Sequence, residues 1–276
     1  MAHCVVAEAE AILDEEYPVL DKGFVRLVDY MGGDDRVVQS ARVSYGAGTK
    51  TYREDSGLID YLLRNSHTSP FEQVILTFHV KLPIFVARQW IRHRTARLNE
   101  ISGRYSVMKD DFYVPAPDDV ALQSTDNKQG RSAEPMDKTQ AEKVRTVLAD
   151  GQRNAYAAYT SLVDEGIARE LARINLPLST YTEWYWQIDL HNLFHFLKLR
   201  LDAHAQKEIR LYAEVLFDIA KKVAPKCCES FKRHVLAAVH FSGEEFAELQ
   251  KRLEGGEGGL TGKELERFEE KLKKRS

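Results

Sequence analysis

Over residues 24–30 apolar and polar side chains alternate, the period of two that marks a strand with one buried face. Residues 73–80 are β-branched and aromatic and predict a second strand. Residues 179–188 predict a third, and residues 103–107 a short one. Elsewhere the period lengthens to that of a helix. Asp34 or Asp35 can cap a helix reaching about Tyr45, broken by residues 46–50. Ser56 can cap another over residues 57–65, with Ile59, Leu62 and Leu63 on one face. Pro83 suits the first turn of a helix over residues 84–94, whose stripe is Ile84, Phe85, Ala87, Trp90 and Ile91. On it Gln89, Arg92 and His93 fall at i, i+3 and i+4 and share a face. Residues 139–164 predict a long amphipathic helix ended by Gly166, and residues 168–174 a further turn or two before Pro177. From 189 to 223 apolar residues recur at helical spacing, from Leu190, Leu193, Phe194 and Leu197 to Tyr212, Leu216 and Ile219; this is expected to be the longest helix. Residues 224–241 predict a short helical segment.

The same pattern suggests an organisation. Residues 1–23 read as an acidic peripheral arm, 24–241 as one domain, and 242–276 as a charged tail interrupted by glycines. Within the domain, residues 113–138 form a polar, proline-containing insertion expected at the surface. With 276 residues, 43% of them hydrophobic, a sizeable core is available. A net charge of −3 leaves no overall basic surface, so cations matter only where they cluster. Three cysteines, two of them the adjacent Cys227 and Cys228, make no disulfide framework and fit a reducing cytoplasm. No basic and apolar leader is seen at the start, and no run of ~18 apolar residues that would span a membrane.

One stretch stands out chemically. Arg88, Arg92, Arg94, Arg97 and Arg104 surround His93, Asn99, Glu100 and Ser102 with almost no apolar content. Guanidinium groups bind phosphate bidentately, so this is either an anion-binding loop or a solvated helix end, where cations suit the dipole. His191 and His195 are spaced to share a metal, but a third ligand is missing. Arg173 and Arg200 are cations among apolar neighbours, either surface charges or aimed at a ligand. Cys227 and Cys228 follow Lys226 with no histidine near to activate a thiolate, and Ser102 has no evident base, so neither predicts a nucleophile. Glycine-rich nucleotide loops are absent, so a bound nucleotide would depend on arginines. The alternative function is a nucleic-acid-binding protein using this loop as a phosphate patch; the net charge and the lack of a recognisable module speak against it.

Arg92-His93-Arg94, seven residues and then Ser102 resembles the signature of the flavin-dependent thymidylate synthases, the ThyX family. Further segments agree in order: Ser40-Ala41-Arg42-Val43-Ser44, His67-Thr68-Ser69-Pro70-Phe71-Glu72, Asn99-Glu100-Ile101-Ser102-Gly103-Arg104-Tyr105, Ala172-Arg173 with Leu176-Pro177, and His195 through Arg200 to Asp202-Ala203-His204-Ala205-Gln206. The resemblance covers about residues 24–235. It implies an α+β fold, a mixed sheet with long helices, in a cytoplasmic homotetramer whose active sites are shared between subunits. It implies reductive methylation of dUMP to dTMP, with 5,10-methylenetetrahydrofolate as carbon donor, FAD as redox carrier and NADPH as reductant; no metal, nucleic acid or membrane partner is expected from the residues themselves. Carried onto this sequence, Ser69, Glu72, Arg92, His93, Arg94, Glu100, Asp189, Leu190, His191 and His195 would contact FAD. Gln89, Trp90, Ile91, Arg92, Glu100, Ile101, Ser102, Gly103, Arg104, Arg173 and Arg200 would hold dUMP. His67 and Tyr105 would lie on the folate side, and Arg200 would stabilise charge developing on the pyrimidine.

Overall fold

A computed structural model describes residues 4–43, 52–125, 129–132, 134, 136–256 and 258–273, apart from the side chains of residues 52–55. The chain divides into two compact units, Met1–Cys228 and Glu229–Ser276.

The larger unit is built on a five-stranded sheet of order β1-β2-β3-β5-β4. Its strands are β1 (Glu16–Val19), β2 (Gly23–Met31), β3 (Ile75–Pro83), β4 (Arg97–Glu100) and β5 (Tyr181–Asp189). Every neighbouring pair is antiparallel; the parallel component is the isolated bridge Leu13–Leu27. Period-two patterning puts Val25, Leu27, Leu76, Phe78, Val80, Trp184, Trp186 and Ile188 on the buried face. Phe24, Arg26, His79 and Tyr185 occupy the other, where His79 stacks on Tyr185 at 4.9 Å. A bulge between Leu27 and Asp29 shifts the β2 register, which keeps Tyr30 buried despite the interrupted alternation.

The helices of this unit are α1 (Ala7–Glu10), α2 (Asp34–Arg42), α3 (Tyr52–Arg64), α4 (Ile84–Trp90), α5 (Lys138–Asp164), α6 (Arg169–Ala172), α7 (Leu190–Arg200), α8 (Lys207–Val223) and the start of α9 (Pro225–Phe231). The core centres on Trp90 of α4, which meets Trp184, Trp186, Phe196 and Tyr212 at ring separations of 5.6, 5.0, 4.9 and 5.9 Å. All but the tilted Phe196 pair are edge-on, and such contacts add to the area term of burial.

Several expectations are corrected. The segment read as a peripheral arm is packed: Ala9, Ile12 and Val19 are buried, and β1 pairs with β2. Helix α3 begins before Ser56, which is therefore interior rather than a cap. Residues 103–107 form no strand; residues 97–100 pair with β5 instead. The single long helix over 189–223 is two, because Asp202 turns back to accept from the His204 amide (2.9 Å) and breaks the ladder; α5 is the longest. The polar insertion is partly core, since Tyr113 and Val120 are buried. Residues 44–50, where a helix break was expected, lie outside the described residues.

In the smaller unit, a π-turn at residues 232–236 precedes α10 (Gly243–Leu253) and α11 (Gly262–Lys273). Ser242 and Glu245 form a capping box at the start of α10. Phe268 is fully buried beneath Phe241 and the Arg252 guanidinium. The buried Glu248 carboxylate accepts from the Gly259 and Leu260 amides at 2.6 and 3.2 Å. A Cβ on Gly258 would sit 1.7 Å from that carboxylate, so a larger residue there would push Glu248 from its place.

Candidate active site

The arginine motif begins where α4 ends. The helix expected to reach residue 94 stops at Trp90, and the Ile91 and His93 amides close a tight turn on Ala87 and Trp90 carbonyls at 3.0 Å each. Trp90 is pinned in the aromatic core, and the residues after it carry no apolar stripe to extend burial. Arg92 therefore lies beyond the helix. Gln89 and His93 still converge, because Arg200 joins them. Its Nη2 donates to the Gln89 carbonyl and its Nε to His93 Nε2, both at 3.2 Å. Arg200 is the last residue of α7 and is half-buried. Burial, then the charge of Arg92, lower its pKa.

His93 is the neutral partner in this pair. Its ring packs on Phe196 at 4.8 Å and His195 at 5.6 Å. Burial first, then the charges of Arg200 and His195, push its pKa down to about 4. Since Nε2 accepts from Arg200, the imidazole proton sits on Nδ1. The folded pKa lies below the ordinary 6.5, so the unfolded chain binds the proton more readily. His93 thus contributes stability above pH 6.5 that is lost as pH falls through about 4. An NMR titration of the flavin-free protein is expected to place this ring near pH 4 and to move it upward in Arg200→Met. A midpoint near 6.5 with Arg200 intact contradicts the assignment.

Arg88, Arg92 and Arg94 are exposed, and among the described residues none pairs with a carboxylate. Such cations are ready for anions. Arg97 and Arg104 are engaged, with Gln187 (3.2 Å) and Glu170 (3.1 Å).

A second group forms around the loop after β4. Glu100 accepts from the Thr182 hydroxyl at 2.6 Å. Ser102 Oγ accepts from the Arg104 amide at 3.3 Å, and Arg169 donates to the Tyr105 carbonyl at 2.8 Å. Gly103 is buried against Arg173: a Cβ there would lie 3.2 Å from Arg173 Cδ and 2.9 Å from Met108 Sδ. Ile101 and Tyr105 are exposed. Among the described residues no hydrogen bond joins this group to the Gln89–His93–Arg200 group.

A third group lies along α7. Ser69 and Glu72 are exposed on a 3-10 turn that packs on α7 through Phe71 and Phe194, 6.2 Å apart. His67 meets Tyr61 edge-on at 5.8 Å. Asp189 caps α7, accepting from the Asn192 amide at 2.9 Å and its side chain at 2.8 Å. His191 is half-buried and His195 exposed. Trp90 and Leu190 are fully buried and build the core, so within one chain neither offers a ligand any exposed surface. Ile91 is partly exposed.

Cys227 and Cys228 are buried, and burial with the nearby Asp34 carboxylate raises both thiols well above the ordinary range. A thiol held protonated is no nucleophile. A cavity of about 1050 Å³ opens between α5, the insertion and the start of α8, lined by Phe85, Leu122, Arg131, Val147, His204 and Glu208 among others. It contains none of Arg92, His93 or Arg200, so its volume does not locate the chemistry.

Sequence reasoning missed Thr182, Arg131 and Glu208, and named Gln206 only as the end of a matching segment, without a role. The signal of the missed residues was polarity alone: Glu208, for example, lies at the start of an amphipathic helix whose next turns are apolar.

The family model "Thymidylate synthase complementing protein" matches residues 26–226, and "Thymidylate synthase ThyX C-terminal domain" matches residues 239–276. A flavin-dependent thymidylate synthase of Treponema denticola is 69% identical over 261 residues, covering 95% of this chain and 98% of its own. The enzyme of the same name from Treponema pallidum is 63% identical, covering 99% and 90%. Among solved structures, a UMP/dUMP methylase from Streptomyces cacaoi bound with 5-Br dUMP superposes with a TM-score of 0.71 at 33% identity, covering 80% of this chain and 99% of that one.

Proposed function

Because this chain belongs to the flavin-dependent thymidylate synthases, the ThyX family, we propose that it uses FAD, NADPH and 5,10-methylenetetrahydrofolate in a homotetramer with shared active sites. It is an enzyme that methylates dUMP to dTMP with a flavin cofactor. The nucleic-acid alternative has no support among its relatives.

A flavin dinucleotide needs cations that are not already neutralised, and Arg92 and Arg94 meet that condition. The residues therefore fit the group. Arg92, His93, Arg94, Ser69, Glu72, Glu100, His191 and His195 would hold it, with the α7 start supplied by Asp189 and Leu190. When bound, the flavin supplies the hydride that turns a transferred methylene into a methyl group.

On the nucleotide side, Gln89, Arg92, the loop from Glu100 to Arg104, Arg173 and Arg200 would orient dUMP, with Trp90 and Ile91 behind them. His67 and Tyr105 would face the folate. Uracil is a weak carbon nucleophile, and the buried thiols are not available to activate it by addition. Arg200 takes that part electrostatically, stabilising negative charge on the ring as it builds. Its anchoring by the Gln89 carbonyl and neutral His93 is the observation that carries this reading. Neutral His93 accepts from the guanidinium and leaves its positive charge for the substrate.

Among the described residues of one chain the nucleotide residues fall into two groups without a hydrogen bond between them, which supports a site completed by a second subunit. Exposed Ile101 in the loop, and Ile174 next to the Arg173 that meets Gly103, support a covering partner. Three free cysteines fit a reducing compartment, and we place the enzyme in the cytoplasm. Among the described residues no helix is long and apolar enough to cross a membrane.

Purified protein is expected to be yellow and to form dTMP only when dUMP, methylenetetrahydrofolate and NADPH are all supplied. Activity in a colourless sample, or undiminished activity without NADPH, overturns this cofactor set.

A further inference from the structure

Glu208 is a carboxylate only 3% exposed at the start of α8. Its Oε1 accepts from the Tyr113 hydroxyl at 3.0 Å and from Arg131 of the insertion. Its Oε2 accepts from Gln206 Nε2 at 2.8 Å. Burial opposes the charge, but the hydrogen bond and charge of Arg131 outweigh it and hold the carboxyl below its usual pKa. Arg131 is itself fixed by donating to the Asp119 carbonyl at 2.8 Å, and Asp119 pairs with Lys207.

An ionised carboxylate only accepts, so the Gln206 amide must turn its NH2 toward Glu208. Its oxygen then faces Gln89 and accepts from Gln89 Nε2. Gln89 is left with one N–H and its carboxamide oxygen in defined directions, and among the described residues no group donates to that oxygen. The Gln89 backbone carbonyl meanwhile holds Arg200.

We propose that Glu208, clamped by Arg131 of the insertion, is a positioning residue for the nucleotide site: through Gln206 it fixes which way the Gln89 amide faces. This rests on the reading of Gln89 as a nucleotide ligand. It also gives the insertion a task, since Arg131 is the cation that keeps the relay's carboxylate charged.

A polarity relay can be broken and restored without changing its shape. In Glu208→Gln the amide oxygen still has to take Arg131, so its NH2 turns to Gln206, which flips to accept and presents its own NH2 to Gln89 in place of an acceptor. In the double variant Gln206→Glu with Glu208→Gln, the new glutamine accepts from Arg131 and Tyr113 and donates to the new glutamate. That glutamate can only accept, so Gln89 must again donate to it. KM for dUMP and kcat are measured on flavin-loaded enzyme for both, beside Gln89→Ala. The relay predicts that KM rises about tenfold in Glu208→Gln with kcat little changed, a loss of one oriented hydrogen bond. It predicts that the double variant returns to within about threefold of the parent, the size of ordinary non-additivity. If Glu208→Gln does not fold, Gln206→Met, which removes the amide and keeps the shape, is expected to raise KM likewise. Equal impairment of the single and double variants means a merely structural role and overturns the relay. An effect of Gln89→Ala without one in Glu208→Gln overturns the relay alone. No effect of Gln89→Ala overturns the reading of Gln89 and the relay with it.

Discussion

Replacing Arg200 by alanine is expected to slow dTMP formation by about 10²–10³-fold, the usual loss when one preorganised charge donor leaves a site. Single-turnover formation of dTMP under saturating dUMP and folate measures it. The guanidinium is tied both to the helix carrying Gln89 and to His93, at 3.2 Å each, and Arg92 lies close enough to lower its pKa. Two anchored nitrogens fix the group before substrate arrives, so little reorganisation is needed as charge develops. Arg200→Lys keeps a charge but loses the fork that reaches both anchors, and it too is expected to be impaired. The protein should keep its fold, because Arg200 is only half-buried and its bond to the core helix α4 is a single one, to the Gln89 carbonyl in the last turn. Near parental rates in Arg200→Ala, with flavin still bound, would remove Arg200 from the chemistry.

Trp90→Ala is expected to lower stability by about 3–5 kcal/mol, measured by urea unfolding at fixed protein concentration. Trp90 is fully buried and touches four aromatic rings that belong to β5, α7 and α8. Removing it opens a cavity where the sheet and three helices meet, so little can collapse to fill it. Trp90→Phe is the informative control. The indole N–H is buried without a hydrogen-bond partner, so phenylalanine loses packing but also removes that unpaired donor. Its loss should be well below that of alanine. A destabilisation of Trp90→Ala below about 1 kcal/mol, the range of ordinary surface changes, would contradict the central position assigned to this residue. Because α4 ends at Trp90, this core residue also sets where the 92–94 turn begins.

Much of this was legible in the sequence because it rests on local rules. Alternation located β2, β-branched and aromatic content located β3 and β5, and helical spacing located α5, with Gly166 at its end taking a φ of +80°. The unpaired arginines were visible as a cluster before any neighbour was known. Other features were not legible. The period of Leu190–Ile219 is continuous across residues 201–206, and only the Asp202 turn shows that the helix breaks there. The segment before Phe24 has a weak pattern because β1 is a four-residue edge strand, too short for alternation to register. Strand β4 is exposed at every position, so no buried face marks it in sequence.

The sequence by itself determined the type of chemistry: which groups are cationic, which thiols lack an activating neighbour, and which segments carry the family's motifs. Those are properties of residue type and spacing, which need no fold. Only the tertiary structure decided which cations remain free. Arg104 and Arg131 look like Arg92 in the sequence, yet the fold gives them Glu170 and Glu208 as partners and leaves Arg92 with none among the described residues. It likewise decided that His93 is neutral and that Arg200 reaches it, since burial and proximity across 107 residues of chain are set by packing around Trp90 and not by local order.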